Sequence, residues 1–259
     1  MGDLIEYSDE LDNRKYEERI ICYFDILGWK EKIKATENDD LKVKEMYDYY
    51  SYFINSFKEI ENNKRTYPTI KVNIVSDSFF ISWSIMYREL TMTILNILKF
   101  QIQKMLMNDL LVRGGIFKGK LIHEKEILFG PALNKAYELE NKCSKYPRII
   151  FNDDIKSEFF HDYRGEESDP FNRYSRCLKQ DTDCFYYLDY LAFQKNTLIE
   201  ENIDQKAFYS KLKHVILEGL KCSDPSIKMK YEWLKVKFNV AVEENVTVVD
   251  LKESYFIQG

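Results

Sequence analysis

An acidic residue inside an apolar run is the feature that most constrains this chain. Residues 20–27 read IICYFDIL, a short apolar segment interrupted only by Asp25 and followed by Gly28. This pattern predicts a buried β-strand that ends in a tight turn into a helix. A carboxylate in an apolar strand is costly unless its charge is compensated. We therefore expect Asp25, at the C-terminal end of the strand, to have a compensating partner.

A second acid occupies a similar position further along the chain. Residues 69–84, TIKVNIVSDSFFISWS, form two β-rich halves that meet at Ser76-Asp77-Ser78 and predict a hairpin whose turn presents Asp77. Two carboxylates at neighbouring strand ends form a site for Mg²⁺ or Mn²⁺, which also bind phosphate oxygens. Either aspartate alone could equally cap a turn or a helix N-terminus, so the pairing favours the metal site.

The order of apolar patterns predicts an α+β fold. A strand, helices, a hairpin, a helix, a strand, a helix and a strand follow one another, as in a ferredoxin-like palm, an antiparallel-rich sheet covered by helices. After the first strand, the predicted segments are a helix over 40–60, the hairpin, a helix over 87–107, strands within 110–123, a helix opening at Gly130-Pro131 and continuing through 143, and a strand over 146–151.

The chain is expected to divide into a polar N-terminal arm (1–18), a core (19–155) and a C-terminal continuation of the core with a helical extension (156–259). The continuation has weaker patterns. Its predicted segments are a polar loop over 156–183, a strand or buried segment over 185–193, and helices over 204–220 and 226–238.

Composition excludes several classes of protein. A net charge of -5 argues against a surface that wraps a nucleic acid polymer. Five cysteines without a C-x-x-C pair favour neither a disulfide framework nor a zinc knuckle. The acidic, polar start of the sequence and the absence of a bilayer-length apolar run predict a cytoplasmic protein without direct membrane contact. No metal or catalytic spacing involves His123, His161 or His214.

Four blocks of the sequence resemble the class III nucleotidyl cyclases. FDILGW is similar to their F-x-D-I-x-G-F motif, VSDSFF to their G-D hairpin and VRGGIFKGKL to their R-x-G-I-x-x-G strand. GPALNKAYELE, residues 130–140, aligns without a gap on G-D-A-V-N-x-A-A-R-L-E. The blocks follow the family's order and cover roughly residues 20–150.

The resemblance implies a two-metal active site. In the family, two aspartates hold two ions, Mg²⁺ or Mn²⁺, that activate the ribose 3′-hydroxyl and bind the triphosphate. Asp25 and Asp77 match these aspartates, the carbonyl of Ile26 matches a backbone ligand, and Asn134 matches the residue that orients the ribose. The family also completes its active sites across a homodimer.

Departures from the family pattern concern the base and the transition state. The family's transition-state arginine falls on Glu138, and its base-reading residues fall on Pro131 and near Asn73. The chain more closely resembles the bacterial Pycsar-type pyrimidine cyclases of antiphage signalling. That resemblance implies UTP or CTP as substrate, cyclic UMP or cyclic CMP as product, and a separate effector protein that reads the product.

Other residues are expected to replace the missing contacts. Trp29, next to Gly28, and Tyr137 could narrow a base pocket against purines, although ordinary core packing is the alternative for both. The positive charge that neutralises the substrate phosphates must come from cations in or beside the matched blocks. The candidates are Arg113, Lys118, Lys120, Lys145 and Arg148, with Arg148 preferred.

Two other functions stay open at this point. A nucleotide-binding module that has lost turnover is supported by Glu138 and opposed by the retained carboxylates and Asn134. A palm-type polymerase or dinucleotide cyclase is disfavoured because residues 75–78, VSDS, lack the adjacent acid of a G-G-D-[DE] turn.

Overall fold

The computed structural model describes residues 15–86, 88–151, 154–155, 178–193, 203–249 and 255–258. Its strands are β1 (Glu17–Ile26), β2 (Lys71–Val75), β3 (Ser78–Ser84), β4 (Val112–Glu124), β5 (Ile127–Phe129), β6 (Ile149–Phe151), β7 (Leu178–Gln180) and β8 (Tyr186–Leu188). Its helices are α1 (Trp29–Lys34), α2 (Asp40–Asn62), α3 (Arg88–Met107), α4 (Pro131–Glu138), a π-helical turn (Leu139–Cys143), α5 (Gln205–Leu220) and α6 (Pro225–Val249).

The sheet confirms the predicted palm. Strands β2, β3, β1 and β4 lie side by side in that order, and every neighbouring pair is antiparallel. Because the chain runs β1, helices, β2, β3, α3, β4, this is the split β-α-β arrangement of a ferredoxin-like unit. Beyond β4 the order continues with β6, β8 and β7, and β5 pairs with β4, which gives eight strands in the described part of the chain. The β4–β6 pair is parallel, so the α+β fold has a mixed sheet.

The two faces of the sheet have different cores because side chains alternate along each strand. On one face, Ile20, Cys22, Phe24 and Ile26 of β1 join the main core. Helices α2, α3, α5 and α6 cover that face, with Phe53, Phe57, Ile94, Leu98, Phe208, Leu212, Leu234 and Phe238 among the buried side chains. On the other face, Ile21 and Tyr23 pack against α4. Asp25, two residues beyond Tyr23, belongs to this α4 face.

Two adjacent glycines let β4 lie close to its neighbours. A Cβ on Gly114 would stand 2.4 Å from the carbonyl oxygen of Tyr23, and one on Gly115 would stand 2.8 Å from that of Ala136. Both distances are too short for a Cβ atom, so glycine is required at both positions 114 and 115. The G-G pair of the matched block therefore fixes how closely β1 and α4 approach β4.

Several boundaries differ from the sequence predictions. A single helix was predicted to continue through residue 143. In the structure the α-helix ends at Glu138, and residues 139–143 form the π-helical turn. Leu178–Gln180 is a strand, although a loop was predicted there. Helix α6 runs to Val249 rather than 238, because residues 239–249 contain neither glycine nor proline and Ala241 and Val242 extend its buried face. Residues 156–177 of the loop predicted over 156–183, which include His161 and Cys177, lie outside the described residues.

Among the helices within the described ranges, none combines the length and apolarity needed to cross a membrane.

Candidate active site

Asp25 is a mostly buried carboxylate at the end of β1. In the sheet register it lies opposite Ser78 on β3 and Arg113 on β4, and Arg113 Nη2 is 3.4 Å from its Oδ2. Burial raises the pKa of Asp25, Arg113 opposes that rise, and the nearby charge of Asp77 adds to it. The second oxygen, Oδ1, is buried and receives no hydrogen bond from an N–H or hydroxyl group of the described residues. The carboxyl group of Glu140 lies within hydrogen-bonding reach of the Asp25 carboxyl group. The sequence prediction of a compensating partner is thus met on one oxygen only.

Asp77 lies beside Asp25 in the turn between β2 and β3. The backbone N–H of Ile26 donates to the carbonyl oxygen of Asp77 at 3.2 Å, which brings the turn against the end of β1. The preceding residue, Ser76, has a left-handed backbone with φ 53°. The predicted hairpin, with Asp77 in its turn, is confirmed.

Two aromatic side chains hold this turn in place. The indole N–H of Trp29 donates to Ser76 Oγ at 3.0 Å. The hydroxyl of Tyr50, on α2, donates to the Ser76 carbonyl oxygen. The two rings contact each other, with centroids 5.5 Å apart. Trp29, predicted to narrow a base pocket, therefore hydrogen-bonds the residue next to Asp77 through its indole N–H. The sequence did not indicate this positioning role for Trp29 or for Tyr50.

Glu140 is a third carboxylate in the site and was not singled out from the sequence. It is 1% exposed and forms an ion pair with Arg113, which also pairs with Asp25. The carboxyl groups of Glu140 and Asp25 lie within hydrogen-bonding reach of each other. Burial, reinforced by Asp25 and opposed by Arg113, raises the pKa of Glu140 to about 7. The spacing Ala132, Ala136, Glu140 could have revealed it, because residues four apart share one face of a helix and both alanines face the sheet.

The available oxygen atoms fit a hard divalent cation. Asp25 Oδ1 is a buried carboxylate oxygen without an N–H or hydroxyl donor among the described residues, and the carboxylate of Asp77 and the carbonyl of Ile26 belong to the same strand end. Among the described residues, no group of three or more His, Cys, Asp or Glu side chains is arranged to hold a metal ion without other ligands. This donor set suits Mg²⁺, which retains waters and binds through one or two carboxylates together with substrate phosphates.

Gly28 connects β1 to α1 in a left-handed conformation. Its φ is 72°, and a Cβ there would meet no atom within 4 Å. The constraint is therefore the backbone conformation rather than crowding. This turn directs the chain from Ile26, which is 2% exposed, to Trp29.

Helix α4 carries two more of the predicted residues. Ala132 and Ala136 face the sheet, and Asn134, midway between them, is exposed on the opposite side of the helix. Tyr137 is 53% exposed, and its ring centroid lies 5.6 Å from that of Tyr23 on β1. Tyr137 thus lies near the Asp25 face of the sheet, whereas Asn134 points away from its own chain's aspartates.

Arg148 is not brought to Asp25, contrary to expectation. Its side chain is fully buried, with Nη1 2.5 Å from Asp181 Oδ2 and a second ion pair to Asp183. The guanidinium lies 5.2 Å from the ring centroid of Tyr146 and 5.7 Å from that of Trp233. It joins β6 to the β7–β8 turn and α6, so a substrate phosphate could reach it only by breaking these contacts.

The remaining predicted positions are on the surface. Lys145 is exposed, Pro131 begins α4, and Asn73 is half-buried on β2. Glu138 forms a 2.9 Å ion pair with Lys135 one turn before it on the same helix. The position of the family's transition-state arginine thus holds an acid that is paired within its own helix.

The structure is similar to solved cyclase domains at low sequence identity. The adenylyl cyclase CyaB from P. aeruginosa is 12% identical with a TM-score of 0.48, over 71% of this chain and 98% of that chain. The guanylate cyclase domain of RhGC from Catenaria anguillulae, in complex with GTP, is 14% identical with a TM-score of 0.43, over 68% and 97%. A bacterial light-regulated adenylyl cyclase is 16% identical with a TM-score of 0.41, over 77% and 100%. Similarity at this level assigns no activity to this chain.

No protein-family model matches the sequence, and a search of curated proteins returns no match.

Proposed function

We propose that this protein is a metal-dependent pyrimidine nucleotide cyclase, which converts UTP or CTP into 3′,5′-cyclic UMP or cyclic CMP and pyrophosphate. The observation that carries the proposal is the desolvated Asp25, whose Oδ1 receives no hydrogen bond from an N–H or hydroxyl group of the described residues, beside Asp77 on a ferredoxin-like palm. A buried carboxylate oxygen of this kind is costly without a cation. The sequence blocks that resemble class III cyclases bring the same two aspartates together.

The chemistry requires positioning and charge neutralisation more than a protein base. The ribose 3′-oxygen attacks the α-phosphorus, the bond from that phosphorus to the bridging oxygen breaks, pyrophosphate leaves, and the hydroxyl proton is lost. Asp25, Asp77 and the Ile26 carbonyl would hold two Mg²⁺ or Mn²⁺ ions, which when bound neutralise phosphate charge and activate the hydroxyl.

The remaining residues of the site hold the two aspartates in position. Arg113 contacts Asp25 and Glu140 and thereby fixes the orientation of the Asp25 carboxylate. Trp29 and Tyr50 fix the turn that carries Asp77. Each contact restricts a metal-ligating group before substrate binds, which is how neighbouring residues tune metal sites.

The complete site is proposed to form between two copies of the chain. Asn134 faces away from its own chain's aspartates, so it could orient a ribose only when that ribose is bound by a second copy. On the α4 face of the sheet, Tyr137 is 53% exposed, which gives apolar surface for such contact. Sedimentation should therefore detect a homodimer at micromolar concentration, and full activity from a monomer would contradict this arrangement.

The pyrimidine preference is proposed from the departures at the base-reading positions. Pro131 and Asn73 cannot supply the charged groups that occupy those positions in purine cyclases. Tyr137 remains placed to limit the size of the base, whereas Trp29 is engaged with Ser76. As in the Pycsar-type cyclases that the sequence resembles, the product would serve as a second messenger in bacterial antiphage defence, read by a separate effector.

Product identification with single nucleotides tests the proposed reaction. The protein is incubated separately with UTP, CTP, ATP and GTP in the presence of Mn²⁺, and the products are identified by mass spectrometry. We expect a cyclic pyrimidine nucleotide and equimolar pyrophosphate, and no product after addition of EDTA. An EDTA-insensitive reaction would contradict the role of the metal.

Binding without turnover is the second candidate function. It is favoured by the engagement of the nearby cations, because Arg113 and Arg148 both have carboxylate partners and Glu138 is paired with Lys135. A binding module would show saturable, Mn²⁺-dependent nucleotide binding in calorimetry with no cyclic product at any protein concentration. A concentration-dependent rise in specific activity would instead indicate an enzyme that needs its second copy.

A further inference from the structure

A second cleft lies at the opposite end of β1 from Asp25. Its volume is about 450 Å³, and it is formed where the start of β1 meets the end of β4 and the β4–β5 turn. The lining includes Lys15, Glu17, Arg19, Lys71, Leu121 and His123. Arg19 and Asp25 are six residues apart on one strand, about 20 Å at the rise of a β-strand, so the cleft is separate from the candidate active site.

Two buried polar side chains form the floor of this cleft. Arg19 and His123 are each 3% exposed. Arg19 Nε donates to Ser82 Oγ at 2.9 Å, and Ser82 Oγ lies 2.8 Å from His123 Nδ1. Arg19 also forms an ion pair with Glu17 at 2.7 Å and donates to the Thr69 carbonyl oxygen. The floor is thus a hydrogen-bonded chain that ends on the imidazole.

This chain determines which imidazole nitrogen carries the proton. Ser82 Oγ accepts a hydrogen bond from Arg19, so its hydroxyl hydrogen is free to donate to His123 Nδ1. In that arrangement the buried hydroxyl hydrogen has an acceptor. The neutral ring then carries its proton on Nε2. That nitrogen is buried and has no hydrogen-bond partner among the described residues. It is therefore an unused N–H donor in a residue that lines the cleft.

The charges around His123 favour an anion. Burial, reinforced by the positive charges of Arg19, Lys71 and Lys58 and opposed by Glu61, lowers the pKa of His123 to about 4. The ring is thus neutral at physiological pH in a net positive environment. Of the lining acids, Glu17 is already paired with Arg19, and Glu124 and Glu126 are exposed at the rim.

We propose that this cleft binds a small oxyanion, a phosphate or carboxylate group, through the Nε2–H of His123 and the ammonium group of Lys71. Neutral N–H donors and a lysine beside a fixed guanidinium are the groups that recognise oxyanions at partly buried sites. The site is independent of the proposed cyclase reaction, so either can fail without the other.

Nuclear magnetic resonance of the histidine rings tests the proposal on the full chain. The chain has three histidines, and the His123→Asn variant assigns the His123 ring signals by their loss. Inorganic phosphate and citrate are titrated separately at pH 7, with sodium chloride at matched ionic strength as the control. A saturable shift of the His123 signals with either probe, and none with chloride, is the expected result; the responding probe identifies the group as phosphate or carboxylate.

Two lysine variants make the test specific. Lys71→Gln should raise the dissociation constant about tenfold, since it removes one charge-assisted hydrogen bond. Lys228→Gln, an exposed position on α6 outside the cleft lining, should leave it unchanged. Absence of a saturable shift with both probes, or equal affinity in Lys71→Gln and the native chain, would overturn the proposal. Neither result depends on folding of the His123 variant.

Discussion

The guanidinium of Arg113 lies against the carboxylate of Asp25, with Nη2 3.4 Å from Oδ2. On its other side the same group contacts Glu140. One cation thus serves two buried carboxylates, which explains how an apolar strand can end in an acid. Arg113 donates to Oδ2 only, so Asp25 Oδ1 has no N–H or hydroxyl donor among the described residues, in the position where a metal ion would be expected.

Replacement of either aspartate should abolish cyclisation without unfolding the protein. We expect Asp25→Asn and Asp77→Asn each to reduce activity at least about a hundredfold, because each removes a metal ligand. Asp25→Asn should not lower the melting temperature, because the raised pKa of Asp25 indicates that its charge is destabilising in the folded state. Asp48→Asn, on an exposed part of α2, is the matched control. Near-native activity of Asp25→Asn at saturating Mn²⁺ would refute the ligand assignment.

Loss of the aromatic contacts to Ser76 should weaken metal binding. Tyr50→Phe removes only the hydroxyl that bonds the turn, and we expect roughly tenfold weaker Mn²⁺ affinity with a small change in stability. Tyr47→Phe is the control, since Tyr47 is on the same helix and 70% exposed. Mn²⁺ binding is measured by the dependence of activity on metal concentration. Equal metal dependence in the two variants would show that the turn does not need Tyr50.

Arg148 is expected to be essential for stability rather than for chemistry. Arg148→Met removes the cation shared by Asp181 and Asp183, but Asp181 keeps its contacts to Lys237 and Trp233. We therefore expect a loss of about 1 to 3 kcal/mol, the cost of losing charge-assisted hydrogen bonds at a buried site. Lys145→Met, three residues earlier and exposed, should have little effect. Urea unfolding measures both. A stable Arg148→Met protein that has lost activity would restore the catalytic role expected from the sequence.

The main strand patterns of the palm were predictable because they depend on local periodicity. The segment 20–27 is almost entirely apolar, and the hairpin around Asp77 is rich in β-branched and aromatic residues. The strands β1, β2 and β3 lie where these patterns predict them. The register of β1 against β4 was not predictable in the same way. The close approach of β1 and α4 to β4 depends on Gly114 and Gly115, and their role becomes visible only once the clash of a Cβ with β1 and α4 is known.

The site was predictable where residue type alone carries the chemistry and not where a contact decides it. Asp25 and Asp77 stood out as acids in apolar surroundings. Arg148 was assigned to the site because it lies near the matched blocks in sequence, but acids more than 30 residues later capture it. The spacing from Ala132 and Ala136 places Glu140 on the buried face of the helix, but its ion pair with Arg113, on another element, could not be read from the sequence.

His123 should make the protein sensitive to mild acid. Its folded pKa of about 4 lies below the ordinary value of 6.5, so the unfolded chain binds a proton in this interval that the folded chain does not. Stability is therefore retained above pH 6.5 and lost as pH falls toward 4, by up to about 3 kcal/mol. His123→Asn lacks this contribution, so its unfolding free energy should fall less over that interval. Parallel pH dependences of the two proteins would show that His123 is not buried in neutral form.

Competition among the four nucleoside triphosphates tests the central claim most directly. The protein and its Asp25→Asn variant are each incubated with equimolar UTP, CTP, ATP and GTP and Mn²⁺, and the cyclic products are quantified by mass spectrometry. We predict cyclic UMP or cyclic CMP as the main product of the native protein and none from the variant. Cyclic AMP or cyclic GMP as the main product would contradict the pyrimidine assignment, and no cyclic product from the native protein at dimer-forming concentration would contradict the cyclase itself.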